Sequence, residues 1–309
     1  VMVLPVLFVL ALQAKKIGYK ILWTCLIGIL LVCLYGTGSK AGFLVCGFLA
    51  VLVIILMAQK HHTKKKWIYV GICILAAAGI TAGYDQFSGH ALSDALQQIV
   101  QKETYDLEEI KAESDGVCLK YRGNFLKLIP EENEMGQTLT AQINKKEKQT
   151  AFWDGESQSF IFNDKSFGSL KFDTYREKGT QYLIIYDGDM TWNFYKEDGA
   201  ARYVFVNQYG KLDEIQNAAA VFKGHERSLS GRGYIWGRTI PLLKKFLLWG
   251  SGPDTFTVKF PQTDYVMKVN TGLNMYQQLP TKAHSMYLQS ALQTGILSGI
   301  CLLMFFLHY

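Results

Sequence analysis

Charge is scarce in this sequence, and thiols are nearly missing from its polar part. Charged residues make up 19% of the 309 residues and hydrophobic ones 49%, a balance that argues against two ordinary soluble domains in tandem. The polar middle of the chain holds Cys118 alone, whereas Cys25, Cys33, Cys46, Cys73 and Cys301 lie in apolar runs. This excludes a disulfide framework within the polar region, and no cysteine pair has metal-site spacing. A metal site is therefore not expected, no cofactor is called for, and no Ser-His-Asp spacing stands out. The net charge of +6 is modest. Its basic excess sits in lysine clusters between apolar runs, a membrane pattern rather than a nucleic-acid one.

The apolar residues crowd into 1–83 and 285–307. Val1 to Gln13 reads as the tail of a span, with earlier spans expected to precede it and no signal-peptide n-region. Ile21–Gly36, Phe43–Ala58, Trp67–Gly83 and Ser285–Leu307 read as further spans, the middle ones short against the roughly 20 residues a bilayer needs. Lys15, Lys16 and Lys20 mark one loop; Lys60, Lys64, Lys65 and Lys66 mark another. Both belong on the cytoplasmic side by the positive-inside bias. Threading from these anchors puts the turn Thr37–Gly42 and the whole of 84–283 outside. The fold class expected is a polytopic α-helical membrane protein with a large mixed α/β, partly β-rich extracytoplasmic insert.

Four regions follow: spans and short loops over 1–83, an insert over 84–226, an outer loop over 227–284, and a last span over 285–309. Within the insert, Gln86–Lys111 has apolar residues at helical spacing (Leu92, Ala95, Leu96, Ile99, Val100), which predicts an amphipathic helix. From 117 to 210 the pattern becomes short β-branched and aromatic runs, such as Gln181–Asp187 and Thr191–Tyr195. Turns like Asp187-Gly188-Asp189 separate them, predicting a small antiparallel sheet or sandwich. Residues 212–224 read as helical, and Gly233–Leu248 as a stronger helix ending at Gly250-Ser251-Gly252-Pro253.

Three outer stretches carry chemistry. Gly36-Thr37-Gly38-Ser39-Lys40-Ala41-Gly42 fails as a nucleotide P-loop, lacking a preceding strand and the spacing. It is either a flexible turn with a snorkelling lysine or a phosphate contact, in which Lys40 meets a lipid diphosphate beside closely approaching backbone. In Gly231-Arg232-Gly233-Tyr234-Ile235-Trp236-Gly237-Arg238, Arg232 and Trp236 share a helix face and Arg238 points elsewhere. An arginine in a first helical turn opposes the dipole, so either an anionic ligand or a headgroup-level position explains Arg232. His284, in Lys282-Ala283-His284-Ser285-Met286-Tyr287-Leu288-Gln289, starts a span that also carries Gln289 and Gln293. Such polar positions line cavities, and His284 serves as a general base, as a donor to a diphosphate, or in a purely structural role. His61-His62 reads as solvated within a lysine run, and Asp254 and Asp264 have no sequence partner.

Together these stretches resemble the family of O-antigen ligases and O-antigen polymerases, integral-membrane glycosyltransferases. The family's Ser-Arg turn corresponds to Ser39-Lys40-Ala41-Gly42, with lysine in place of arginine. Its Gly-Arg-x-x-x-Trp helix and following Gly-x-Gly turn correspond to Gly231-Arg232-Gly233-Tyr234-Ile235-Trp236 and Gly250-Ser251-Gly252. Its His-Asn-x-Tyr-Leu motif before a Thr-Gly corresponds to His284-Ser285-Met286-Tyr287-Leu288 and Thr294-Gly295, with serine in place of asparagine. The resemblance covers the membrane part and about 227–309, and leaves out the β-rich region.

It implies a GT-C-like fold in the bacterial cytoplasmic membrane, crossing it several times. The implied activity is metal-independent transfer of a glycan from an undecaprenyl-diphosphate carrier to an acceptor glycan, lipid or protein. The implied catalytic residues are His284 and Arg232, with Lys40, Arg232 and Arg238 binding the diphosphate. The partners are the lipid-linked glycan, the acceptor and the bilayer, with no nucleic acid. A non-catalytic receptor or transporter subunit with a ligand-binding β-rich ectodomain is the alternative. A third reading keeps the enzyme and makes the insert an acceptor-selecting domain.

Overall fold

The structure, a computed structural model, describes residues 3–36, 42, 47, 82–83, 85–86, 89–133, 136–144, 146, 148–162 and 164–308. Lys40 and nearly all of the expected spans Phe43–Ala58 and Trp67–Gly83 lie outside the described residues, as do the lysine cluster of 60–66 and His61-His62. The chain divides into two compact units, one of residues 1–102 and 227–233 and the other of 103–226 and 234–309.

In the first unit, α1 (Val3–Gln13) and α2 (Ile17–Gly36) pack against each other, with Leu4, Leu7 and Leu34 buried. Lys15, Lys16 and Lys20 are exposed around their junction. Ile17–Leu34 is, among the described residues, the single helix segment long and apolar enough to cross a membrane. A short helix, α3, covers Ala91–Val100. The expected amphipathic helix over 86–111 is thus cut down at its C-terminal side. Residues 107–112 form a strand instead, because Leu107 and Ile110 are buried in a β core that outweighs local helical spacing.

The second unit is built on two antiparallel sheets. Strands β1 (Leu107–Ala112), β2 (Val117–Tyr121), β3 (Asn124–Asn133), β4 (Gly136–Ile143) and β5 (Lys148–Thr150) pair in chain order. So do β6 (Phe152–Asp154), β7 (Ser159–Ile161), β8 (Leu170–Glu177), β9 (Thr180–Asp187), β10 (Met190–Glu197), β11 (Val204–Val206) and β12 (Leu212–Asp213). Every described pairing is antiparallel between neighbours in sequence, which tight turns such as Asp187-Gly188-Asp189 permit. Alternation sets the faces: Leu183, Ile185, Trp192 and Phe194 are buried, while Tyr182, Ile184 and Asn193 between them are half-buried. Leu119, Leu126 and Leu139 of the first sheet join Phe172, Ile185, Trp192 and Phe205 of the second in one hydrophobic core.

Residues 212–224 are not helical. Leu212 and Asp213 pair with β11, and the chain beyond has no regular secondary structure, bending and turning at 221–224. Its polar groups go to distant partners: the Gln216 N–H donates to the Thr263 carbonyl at 2.9 Å and the Val221 N–H to Gly237 at 3.0 Å. The Asn217 amide donates to the Ile110 carbonyl at 2.9 Å. Backbone donors satisfied across the fold have no need of a helical ladder.

The helix expected over 233–248 is observed as α4 (Ser228–Leu243), which contains Pro241 and is interrupted by left-handed Leu229, Ser230 and Gly231. Short helices α5 (Phe256–Lys259) and α6 (Tyr265–Asn270) follow. The last apolar run is two helices, α7 (Met286–Thr294) and α8 (Ile296–His308). The continuous span expected over 285–307 is broken at Gly295, whose φ of 93° does not continue a helix.

Candidate functional site

Within the second unit, the motif-bearing stretches meet at the start and end of α7. The indole N–H of Trp236, on α4, donates to the Ala283 carbonyl at 2.8 Å. The Ala283 N–H in turn donates to the Gln289 side-chain oxygen at 2.8 Å, one turn into α7. Ala283 is therefore held from both sides and fully buried. The next residue, His284, is exposed, with a left-handed backbone at φ 51°. That conformation is uncommon for a residue with a side chain, and the fixed neighbour on its N-terminal side accounts for it. Ser285 then caps α7, its hydroxyl accepting the Leu288 N–H at 3.4 Å.

His284 thus directly precedes a helix N-terminus, whose unpaired N–H groups and dipole favour negative charge. The serine that stands where the resembled family has asparagine keeps the capping chemistry, since both are preferred N-caps. We expect Ser285→Asn to be close to neutral and Ser285→Ala to lower stability by about 1 kcal/mol. Thermal unfolding of the detergent-solubilised protein reads the difference.

At the other end of α7, the turn Gly250-Ser251-Gly252 docks on the helix break. The Ser251 and Gly252 N–H groups donate to the carbonyls of Leu292 (2.8 Å) and Gln293 (3.0 Å), and the Ile296 N–H donates to Leu247 (2.9 Å). Contact is close enough that a Cβ at Gly250 would stand 2.2 Å from the Gln293 carbonyl oxygen, and one at Gly295 would stand 2.1 Å from that of Leu248. Three stretches far apart in sequence are therefore locked into one framework. Asp254, in the turn that follows, is exposed.

Arg238 departs from the expectation of a diphosphate ligand. It is 3% exposed, and its Nε donates to Asp264 at 2.8 Å. One terminal nitrogen reaches Glu226 at 3.4 Å, and its guanidinium lies 4.7 Å from the centroid of the Tyr234 ring. Glu226 also accepts the Gly224 N–H at 2.7 Å and the Tyr105 hydroxyl at 3.3 Å. Burial pushes the Asp264 carboxyl above the usual range although Arg238 opposes the shift. Burial also lowers the pKa of the fully buried Lys268 ammonium. Asp264, unpaired in the sequence, thus has its partner in Arg238, and both belong to an internal charge network.

Arg232 belongs to the other unit. It is exposed and follows three consecutive left-handed residues, Leu229 (φ 54°), Ser230 (φ 60°) and Gly231 (φ 81°). Two of these carry side chains, so the turn stores backbone strain, a feature that concentrates at functional sites. Sequence reasoning singled out His284 and the glycines through their motifs, and Gln289 as part of a polar stripe. It missed the Trp236–Ala283 bond and the Arg238–Asp264 pair, which no local spacing encodes.

An antiparallel β domain thus carries an exposed histidine framed at the head of α7. Residues 199–303 match the family model for O-antigen ligase, in agreement with the resemblance drawn from the motifs. The family is bacterial and membrane-associated, and its members are glycosyltransferase-like ligases and polymerases. The match supports glycan transfer in that general sense. No curated protein and no solved structure matches the chain.

Proposed function

We propose that this protein is a polytopic glycosyltransferase of the cytoplasmic membrane. It transfers a glycan from an undecaprenyl-diphosphate carrier to an acceptor on the outer face. The observation that carries this reading is the two-sided clamp on Ala283. It leaves His284 exposed beside the N-terminus of α7, inside the segment matched to the ligase family.

In the proposed reaction, an acceptor hydroxyl attacks the anomeric carbon of the donor sugar, forming the new glycosidic bond. The bond from that carbon to the phosphate oxygen breaks, and its electron pair leaves with the diphosphate. His284 takes the hydroxyl proton. Arg232 and Lys40 offset the charge that grows on the leaving diphosphate. Arginine does so through paired parallel hydrogen bonds, lysine as a point charge. Arg238 acts at a distance, by holding α4 through Asp264 and Glu226. No metal enters this scheme, since a diphosphate is already a good leaving group.

The test is transfer in membranes from a lipid-linked glycan donor. His284→Ala and Arg232→Ala are each expected to slow transfer about 100-fold or more, with amounts of folded protein in the membrane unchanged. Wild-type transfer rates in either variant would remove that residue from the mechanism.

A further inference from the structure

The β domain carries two cavities, of about 590 Å³ and 530 Å³, and Glu109 and Lys111 line both. They adjoin across strand β1, forming a groove rather than two separate pits. The floor of one half follows from strand register. On the solvent face of the first sheet, Lys111, Cys118, Lys127 and Gln142 form one cross-strand row, and Glu109, Lys120 and Phe125 form the next. The other half lies between β1 and the strands β11 and β12, β12 being the edge of its sheet, with Arg202, Tyr203, Asp213 and Glu214 on its walls. That second wall falls inside the ligase-family segment, while β1 to β4 precede it.

Three properties restrict what the groove takes. Its charges balance. Glu109, Asp213 and Glu214 face Lys111 and Arg202 in one half; Glu113 joins Lys120 and Lys127 in the other. Most are already paired: Lys127 with Glu113 at 2.9 Å and with Asp115 at 2.7 Å, Arg202 with Glu214 at 3.2 Å, Lys120 with Glu108 at 2.5 Å. A polyanion would have to break those pairs.

Part of the β1 edge is already taken, which limits strand addition by a peptide there. Along that edge the Leu107 carbonyl accepts from Asn270 (2.7 Å) and the Ile110 carbonyl from Asn217 (2.9 Å), and just beyond it the Glu113 carbonyl accepts the Tyr203 N–H (2.9 Å). What remains on offer is fixed hydrogen-bonding side chains beside apolar surface, with Phe125 54% exposed at one end and Leu212 57% exposed at the other. Burial pushes the Cys118 thiol and the Tyr203 hydroxyl up to about 12, so neither adds a charge.

We infer that this groove binds a neutral sugar chain, the glycan that the proposed transferase elongates or transfers. Polyhydroxylated rings meet paired polar side chains by hydrogen bonding and meet Phe125 and Leu212 through their C–H faces. Two adjoining cavities suit several sugar units rather than one. This inference rests on the glycan-transfer reading for its biological role, but binding itself is separable from it.

The experiment uses the full chain in detergent with surface polysaccharide from the source bacterium, divided by ion exchange into neutral and acidic fractions. Hydroxyl-radical footprinting should show the neutral fraction protecting Phe125 and Leu212 about threefold or more. Phe152 (62% exposed) and Trp153 (55% exposed) lie outside the groove lining and should keep their labelling. The double variant Phe125→Ala, Lys111→Ala should raise the KM for one glycan about fivefold with kcat held. A shift in acceptor KM assigns the groove to the acceptor; a shift in donor KM assigns it to the donor.

No protection by the neutral fraction, protection by the acidic fraction alone, or equal protection at Phe152 and Trp153 would each overturn the inference. Protection at Phe125 and Leu212 in a protein that transfers nothing would uphold the groove and sink the transferase reading.

Discussion

Arg238→Ala is expected to destabilise the protein by about 3–5 kcal/mol, because removing one partner of a buried ion pair strands the others without solvent. Arg238, Glu226 and Asp264 are exposed by 3%, 2% and 2%, so water does not replace the lost guanidinium. The loss should shrink on acidification, and the sign follows from Asp264. Burial already holds its folded-state pKa above the usual value, with Arg238 opposing the shift. Removing that cation raises it further. The folded state then binds more protons than the unfolded one, so stability falls as pH rises from the ordinary carboxylate range to the raised value. Below that window the deficit from Asp264 disappears.

Thermal unfolding of Arg238→Ala across a pH series is the measurement. The triple variant Arg238→Met, Asp264→Asn, Glu226→Gln should regain much of the loss, since no uncompensated charge remains. A stable Arg238→Ala protein that nevertheless fails to transfer glycan would instead place this arginine on the diphosphate.

The second large effect is expected at the helix break. Gly295→Ala and Gly250→Ala should each lower stability by about 3 kcal/mol or more. Both residues have a left-handed backbone, with φ of 93° and 69°, and both face a carbonyl oxygen at about 2 Å from any added Cβ. The obstacle is main chain on either side, so relief requires the 247–252 turn and α7 to separate. Gly272 provides the control, having φ of 75° but nothing within 4 Å of where an added methyl would stand. Gly272→Ala should lose only about 1–2 kcal/mol, the conformational part alone. Equal losses at Gly272 and Gly295 would show that close approach contributes nothing. Because Gly250 and Gly295 hold the framework that presents His284, their variants should also lose transfer activity more steeply than they lose folded protein.

Much of this was legible in the sequence, for identifiable reasons. The alternation in Gln181–Asp187 and Thr191–Tyr195 gave strands because one face of each is buried and the period is short. Turn residues at Asp187-Gly188-Asp189 marked the connection that the β9–β10 pairing uses. The helical spacing in 86–111 was misleading beyond Val100. Leu107 and Ile110, three apart, suit a helical stripe, and in β1 a shift of register between Leu107 and Glu109 lets both enter the core of the two sheets. Residues 212–224 failed as a helix for a related reason: their hydrogen-bond partners, Thr263, Gly237 and Ile110, are remote in sequence. The last span was read as continuous because Thr294-Gly295 is one weak position in an apolar run. The break became evident only with the 250–252 turn packed against it.

The same division runs through the candidate site. Residue type and motif order alone pointed to His284, Arg232 and Lys40 as the groups to watch, and to a resemblance to membrane glycan transferases. The O-antigen ligase match over 199–303 agrees with the family. Which cations face solvent was a matter for tertiary structure. Arg232 and Arg238 look alike in sequence, six positions apart, yet one is exposed and the other is 3% exposed against Asp264. A charge leaves water only where opposite charges and hydrogen bonds from distant segments converge on it. That convergence is a property of packing, and no local pattern of residues contains it.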